Sequence, residues 1–404
     1  MRISGVQRAV LAVVLAAAVL SGAVASPGQE REVQEHFARA EKLLEAGQQE
    51  AAAREFLAVL RIDPNNADAR ANLGVIAFFA HDYAGAAEQL RVAIKLQPSL
   101  SKARALLGMS EEQLGHLREA RSQFEQAFPA LRDRKLRLQI GLQLAEIYYQ
   151  NGNLEKAVPV LIALQQSDST NLDVLYASYR TYSQLADQAV DALAFVDLHS
   201  ARLRQVVAER LIEEGDLRGA IAAYHEALKI DPGLPGINLE LGEAYLESHS
   251  SSALDDAERE FKAALAQNPN DAKSECGLGE IYLRRGALKT SLEHYLRAAL
   301  LQPDSPEAHL GAGTVLLKMN QFQQAAAELQ RATQLNPDYA IAHYRLSLAD
   351  GHLGKTRESQ AEAATFERLK SFDEQLRDLY QEMRRPRKSE AEVNLDTGSA
   401  AVKK

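Results

Sequence analysis

Five prolines fall in two groups with a fixed step: Pro64 and Pro98, then Pro269, Pro303 and Pro337, each 34 residues from the last. A sixth, Pro232, precedes Pro269 by 37 residues. A period of this length means an array of short units, each too small to bury its own apolar face and dependent on its neighbours to cover it. Numbering each block so that its proline is position 32 brings other residues into register. Position 8 is small: Gly74, Gly108, Gly279 and Gly313, with Ala40 and Ala208. Positions 20 and 27 are alanine in most blocks, as in Ala86 and Ala93 or Ala325 and Ala332. Position 24 is bulky: Phe56, Leu90, Phe124, Tyr224, Tyr295 and Leu329. Position 15 is glycine at Gly47, Gly115, Gly152, Gly215 and Gly286.

The pattern inside a block is helical. Leu278, Gly279, Ile281 and Tyr282 repeat at three and four residues, not at two. Glycine at position 15 permits the left-handed residue that closes a first helix. Proline inside a helix costs about 3 kcal/mol, so position 32 ends a second one. Asn66, Asp271 and Ser305 stand where the next helix needs an N-cap, and Pro306 suits its first turn. Each block therefore reads as helix, turn, helix, turn. The small residues let helices approach, and the bulky position 24 fills the space between them.

These positions, most clearly Leu278 to Ser305, resemble the tetratricopeptide repeat (TPR) family, and the resemblance extends over residues 33–370. The tryptophan common at position 4 of that family is missing, and the chain has no Trp at all. The resemblance implies an all-α fold, an α-α superhelix of about ten helix-turn-helix units ending in a capping helix. It implies a concave surface lined by the first helix of each unit, at positions 2, 5, 9, 12 and 13. The domains expected are a signal peptide (1–25), a polar leader (26–32), an N-terminal array (33–170) and a degenerate repeat (171–200). A C-terminal array (201–339), a last repeat with capping helix (340–384) and a disordered tail (385–404) follow. The basic stretch Arg132–Lys135 lengthens one junction, and His249–Ser252 lengthens one inner turn.

The N-terminus differs from the array. Arg2 and Arg8 precede an apolar run, and Ala23-Val24-Ala25 offers a small-x-small cleavage pattern, so the expected location is exported, periplasmic or secreted. An uncleaved membrane anchor is the alternative. Cleavage after Ala25 removes two arginines and takes the formal net charge of −9 to −11. An acidic chain argues against nucleic acid as a partner. The single cysteine, Cys276, excludes an intramolecular disulfide and is expected to be buried or half-buried.

No nucleotide-binding loop, zinc-protease helix, nucleophile elbow or paired CxxC is present, so no catalytic residue, cofactor or metal is expected. His343 and His352 are nine apart and do not share a helix face at ligand spacing. Asp255 and Asp256 read as solvated. Tyr176, Tyr179 and Tyr182 read as core packing, with an aromatic contact patch or a hinge as the other reading. Candidate binding residues follow from the implied concave positions. Position 9 supplies Glu41, Glu146, Glu209, Glu243 and Glu280, and position 13 adds Glu213. Positions 5 and 12 supply Phe78, Tyr149, Leu246, Leu310 and Tyr344. A row of carboxylates over an apolar floor favours a basic or amphipathic protein or peptide ligand. The same glutamates also read as good helix formers on a solvated face.

The expectation is thus an exported scaffold for protein–protein interaction, in envelope assembly, secretion or polysaccharide export. A membrane-tethered spacer with an unused groove is the alternative, and an accessory subunit of an enzyme complex comes third. Membrane contact is expected only through an uncleaved N-terminus. The repeats do not fix an oligomeric state.

Overall fold

The computed structural model describes residues 27–248 and 253–384. The stretches expected to be a signal peptide (1–25) and a disordered tail (385–404), and the insertion at His249–Ser252, lie outside the described residues. Among those described are 19 α-helices, one short 3-10 turn and no strand. The chain divides into two compact units, one ending at Asp191 and the other beginning at Ala192.

In the first unit α1 (Pro27–Glu45) pairs with α2 (Gln49–Ile62), α3 (Ala67–Phe79) with α4 (Tyr83–Leu96), and α5 (Ser101–Gln113) with α6 (Leu117–Ala127). A 3-10 turn at Phe128–Ala130 closes α6, and α7 (Arg134–Gln150) pairs with α8 (Leu154–Ser167). Helix α9 (Leu172–Val196) crosses the division between the units. The second unit pairs α10 (Ala201–Glu214) with α11 (Leu217–Ile230), α12 (Ile237–Glu247) with α13 (Ala253–Gln267), and α14 (Ala272–Arg284) with α15 (Leu288–Leu301). It ends with α16 (Pro306–Lys318) paired with α17 (Phe322–Leu335) and α18 (Ala340–His352) paired with α19 (Thr356–Arg384).

The periodic residues do the work their spacing suggests. Asn66 accepts a hydrogen bond from the Ala69 N–H at 2.9 Å, and Ser305 from the Ala308 N–H at 3.2 Å, so both cap a helix start. The glycines of position 15 have φ between +69° and +85°. Where the register lacks glycine, His81 and Asn320 take φ of +63° and +58°. The turn thus imposes the left-handed conformation whatever residue stands there, at a steric cost glycine avoids.

Position 24 forms the core. Phe56, Leu90, Phe124, Tyr224 and Leu329 are buried, each worth about 1.5–3 kcal/mol of apolar transfer. Leu90, Phe124 and Leu329 rest on the glycines of position 8. A Cβ built on Gly74 would lie 2.6 Å from Leu90 Cγ, and one on Gly108 2.5 Å from Phe124 Cε1. Two further position-24 rings reach forward to the next pair: Phe261 lies against Gly277 and Tyr295 against Gly311. Each of these two is therefore both a core residue of its own repeat and a joint to the following one.

Position 4, where the family favours tryptophan, carries a polar bridge to position 23 of the paired helix. His36 donates to Glu55 at 2.7 Å and His309 to Glu328 at 2.7 Å. His343 meets Glu362 in the same way. Arg70 donates to Gln89, Arg104 to Gln123, and in one pair the order is reversed, with His294 on Glu275. These bridges satisfy polar groups between the two helices of a pair without an indole.

Several expectations change. Residues 27–32 form the first turns of α1 and are not a separate leader. The degenerate stretch is one 25-residue helix because residues 171–200 contain no glycine or proline to end it midway. With no second helix folded back along it, Tyr176, Tyr179 and Tyr182 are exposed, which corrects their reading as core. Asp255 is exposed on its helix face as read and meets Arg285 of the next pair there, whereas Asp256 is half-buried and pairs with Arg259 one turn along the same helix. Asp133 of the lengthened junction caps α7 through the Leu136 N–H.

Candidate functional site

In the second unit the first helices of successive pairs, α12, α14, α16 and α18, lie side by side. Between them opens a cavity of about 510 Å³. Its apolar wall is Leu246 from α12, Leu283 from α14 and Leu310 from α16, and its floor is made by Phe261 and Tyr295 from second helices. The floor exists because Gly277 and Gly311 have no side chain to cover those rings. The polar rim is Glu243, Lys273, Glu280, Glu307, Thr314, Tyr339 and Arg345.

Glu243, Leu246, Glu280 and Leu310 thus share one cavity. The carboxylates there do not form a uniform row. Glu280 accepts from Arg284 Nε at 2.7 Å and from the Tyr295 hydroxyl at 3.2 Å, and Glu307 accepts from the Ser305 hydroxyl at 3.0 Å. Lys273 faces Glu243 electrostatically, and Arg345 brings a second cation whose Nε is buried without a hydrogen-bond partner. The rim is of mixed charge. Lys273 stands at position 2, one of the implied concave positions, whereas Arg345 at position 6 lies outside them.

Burial raises the Glu243 carboxyl above its ordinary value; Lys273 opposes that shift, and Glu240, Glu247 and Asp271 add to it. The side chain is exposed and lines the mouth of the cavity, so the desolvation it feels comes from the concave surroundings and not from enclosure. Burial likewise pushes the Cys276 thiol up to about 12, with Glu307, Glu275 and Asp271 adding to the effect. Cys276 is half-buried in the cavity wall.

The remaining candidates are elsewhere. Glu209 and Glu213 lie on α10, where burial, Glu240 and Glu213 raise the Glu209 carboxyl. In the first unit Glu41 is half-buried on α1, and Phe78 packs edge-on against Phe79 and Tyr83. Glu146 and Tyr149 are gripped by Arg180 of α9, whose Nη1 donates to Glu146 at 3.2 Å and whose guanidinium lies 4.1 Å over the Tyr149 ring. Tyr344 on α18 packs against Phe366 of α19 at 5.1 Å.

Family models described as tetratricopeptide repeat match residues 37–101 and 251–308, and a further TPR repeat model matches 208–248 and 313–349. These segments are tetratricopeptide repeats. The matched residues include the helix pairs that build the cavity, so the cavity is a feature of TPR packing. TPR arrays of this type act as scaffolds for protein–protein interaction, binding protein or peptide partners. No curated protein matches the sequence. Among solved structures, MamA is 21% identical over 42% of this chain and 97% of its own, with a TM-score of 0.36. MamA from Desulfovibrio magneticus RS-1 is 17% identical over 42% of this chain and 95% of its own, with a TM-score of 0.37. YrrB, described as a TPR protein with an unusual peptide-binding site, is 19% identical over 45% of this chain and 92% of its own, with a TM-score of 0.35.

Among the described residues no group of three His, Cys, Asp or Glu side chains is placed to hold a metal, and no helix is long and apolar enough to cross a membrane.

Proposed function

We propose that the second unit captures a peptide segment of a partner protein in the cavity between α12, α14, α16 and α18. The observation that carries this reading is the combination of an apolar wall (Leu246, Leu283, Leu310 and Tyr295) with an incompletely compensated carboxylate, Glu243, at its rim. An apolar side chain of the partner fills the wall, and a neighbouring basic side chain pairs with Glu243. Such a segment is amphipathic and basic, the class that a concave apolar groove with acidic edges favours. The mixed rim narrows the class further, because Lys273 and Arg345 reward an acidic or carbonyl group elsewhere in the same segment.

The setting we propose is outside the cytoplasm, as a scaffold for envelope assembly, secretion or polysaccharide export. The support is the basic-apolar-small pattern of residues 2–25. Two measurements test the reading. Mass spectrometry of the protein recovered from its native cell should find a mature terminus at Ser26; an intact Met1 in the membrane fraction would support a tethered spacer instead. Crosslinking from a photoreactive group at Leu283 should capture a partner, and Glu243→Lys should abolish that capture with helicity unchanged. Capture that survives the charge reversal rejects the groove.

A further inference from the structure

Helix α9 runs for 25 residues with no second helix folded back along it. One stripe of it is buried, at Val174, Ser178 and Thr181. A second stripe is not. Leu172, Leu175, Tyr179, Tyr182, Ala186, Ala189, Leu193 and Val196 are spaced alternately by three and four residues. All eight are exposed, Tyr179 by 68% and Leu172 by 79%. With Leu172 at a, this is the a/d seam of a coiled coil sustained along the whole helix, narrower than the stripe of a helix packed in a globular core.

We infer that this seam is closed by the same seam of a second copy of the chain, running antiparallel about a two-fold axis. Size selects that occupant. In a two-fold pair, if one residue meets another, the second meets the first across the axis. With the axis at Gln184, Tyr179 of each copy lies against Ala189 of the other, and Tyr182 against Ala186. Farther out along the helix, Leu175 meets Leu193 and Leu172 meets Val196. Each ring thus finds a small residue opposite it, as Phe124 finds Gly108 within the array. A parallel pair would set tyrosine on tyrosine in one half and alanine on alanine in the other, crowded at one end and hollow at the other. Charge agrees with the antiparallel pair. The e and g positions beside the seam hold Tyr176, Ser178, Ser183, Leu185, Val190 and Ala192, none of them charged. The acids of the helix, Asp173, Asp187 and Asp191, fall at the outer b and f positions. Two copies of an acidic helix therefore meet without opposing like charges, and no flanking charge is present to select a basic or acidic foreign helix. Covering the six large side chains of the seam removes about 600 Å² per copy from water, or about 1,200 Å² in the pair, the lower end of stable protein interfaces. The association is therefore concentration-dependent.

The test is sedimentation equilibrium of the full chain over a wide concentration range, with far-UV circular dichroism as the check on folding. The wild type should shift from one protomer mass towards two. Y179E/Y182E should remain at one protomer mass with unchanged helicity, because both rings are exposed in the protomer. Ala189→Tyr should weaken association several-fold, since it sets two tyrosines against each other. Y179A/A189Y exchanges the large and small sides of the same contact and should restore association. A wild type that stays at one protomer mass throughout overturns the proposal, whatever α9 then proves to bind. Association that survives Y179E/Y182E overturns it as well. Failure of Y179A/A189Y to rescue association overturns the antiparallel register.

Discussion

The ring of Tyr295 lies so close to Gly311 of the next helix pair that a Cβ there would fall 2.1 Å from Tyr295 Cε1. On its other side a Cβ built on Gly279 of its own pair would fall 2.9 Å from the same ring. One aromatic side chain thus holds two repeats together and forms the floor of the groove. Gly311→Ala should displace Tyr295 and destabilise the second unit by about 1–3 kcal/mol. Gly47→Ala, at φ +75° with open space around the added atom, should cost about 1–2 kcal/mol from backbone strain alone. Urea denaturation followed by far-UV circular dichroism distinguishes them, because only Gly311→Ala should also weaken ligand capture.

His309 shows the polar bridge most completely. Its Nδ1 donates to Glu328 at 2.7 Å, and its Nε2 lies 3.2 Å from the Pro303 carbonyl at the preceding turn. The ring therefore links both helices of a pair to the loop that starts it. In a double-mutant cycle, His309→Ala and Glu328→Ala should show a coupling of about 0.5–1.5 kcal/mol. A coupling near zero would mean that the bridge only fills space.

Glu258 should govern acid stability of the α13–α14 contact. Lys262 donates to its carboxylate, as do Arg285 and Tyr282, and together they hold it at about 2 against the burial that opposes them. The folded value is depressed, so the stabilisation is present above the unfolded carboxyl range and is lost as pH falls from about 4.5 towards 2. Denaturation midpoints across that window should fall less steeply in Glu258→Gln than in the wild type.

Cys276 should be a slow thiol. Burial holds it protonated to about 12, so in the folded chain at pH 8 iodoacetamide should react far more slowly than after unfolding. The raised value also means that the unfolded chain loses this proton first, so stability contributed here declines as pH rises above about 9 and Cys276→Ala should remove that decline. Alkylation at the folded rate of an exposed thiol would contradict the packing of the cavity wall.

Burial also raises Glu243, so a groove that pairs this carboxylate with a basic side chain should bind more weakly as pH falls through the raised value. Titrating capture against pH in the wild type and in Glu243→Gln checks this: the wild type should lose affinity on acidification, and Glu243→Gln should be weak and flat.

Much of the architecture was readable from spacing, because it rests on contacts within one 34-residue block or between a block and its neighbour. Gly74 against Leu90 and Gly313 against Leu329 are separated by 16 residues, and each repeats at a fixed offset. The turn glycines were legible for the same reason, since a left-handed residue is a local requirement. The site was legible only in part. Glu243, Leu246, Glu280 and Leu310 fall at repeating positions and do share a cavity. Lys273 and Arg345, which change its charge, sit at positions that vary from repeat to repeat, so no period announces them. Arg180 reaches Glu146 and Tyr149 across 34 and 31 residues from a helix that has lost the repeat pattern.

The sequence by itself determined the helix pairs, their turns and the residues that join one pair to the next, because close packing of small against bulky side chains is enforced at every period. It also carried the apolar spacing of Phe372, Leu376 and Leu379 on α19. Only the tertiary structure decided that these three side chains are left exposed while Leu369 is buried, that the tyrosines of α9 face water, and that the groove rim is mixed in charge. Exposure and charge compensation depend on which surfaces fail to meet, and no local pattern encodes a missing neighbour.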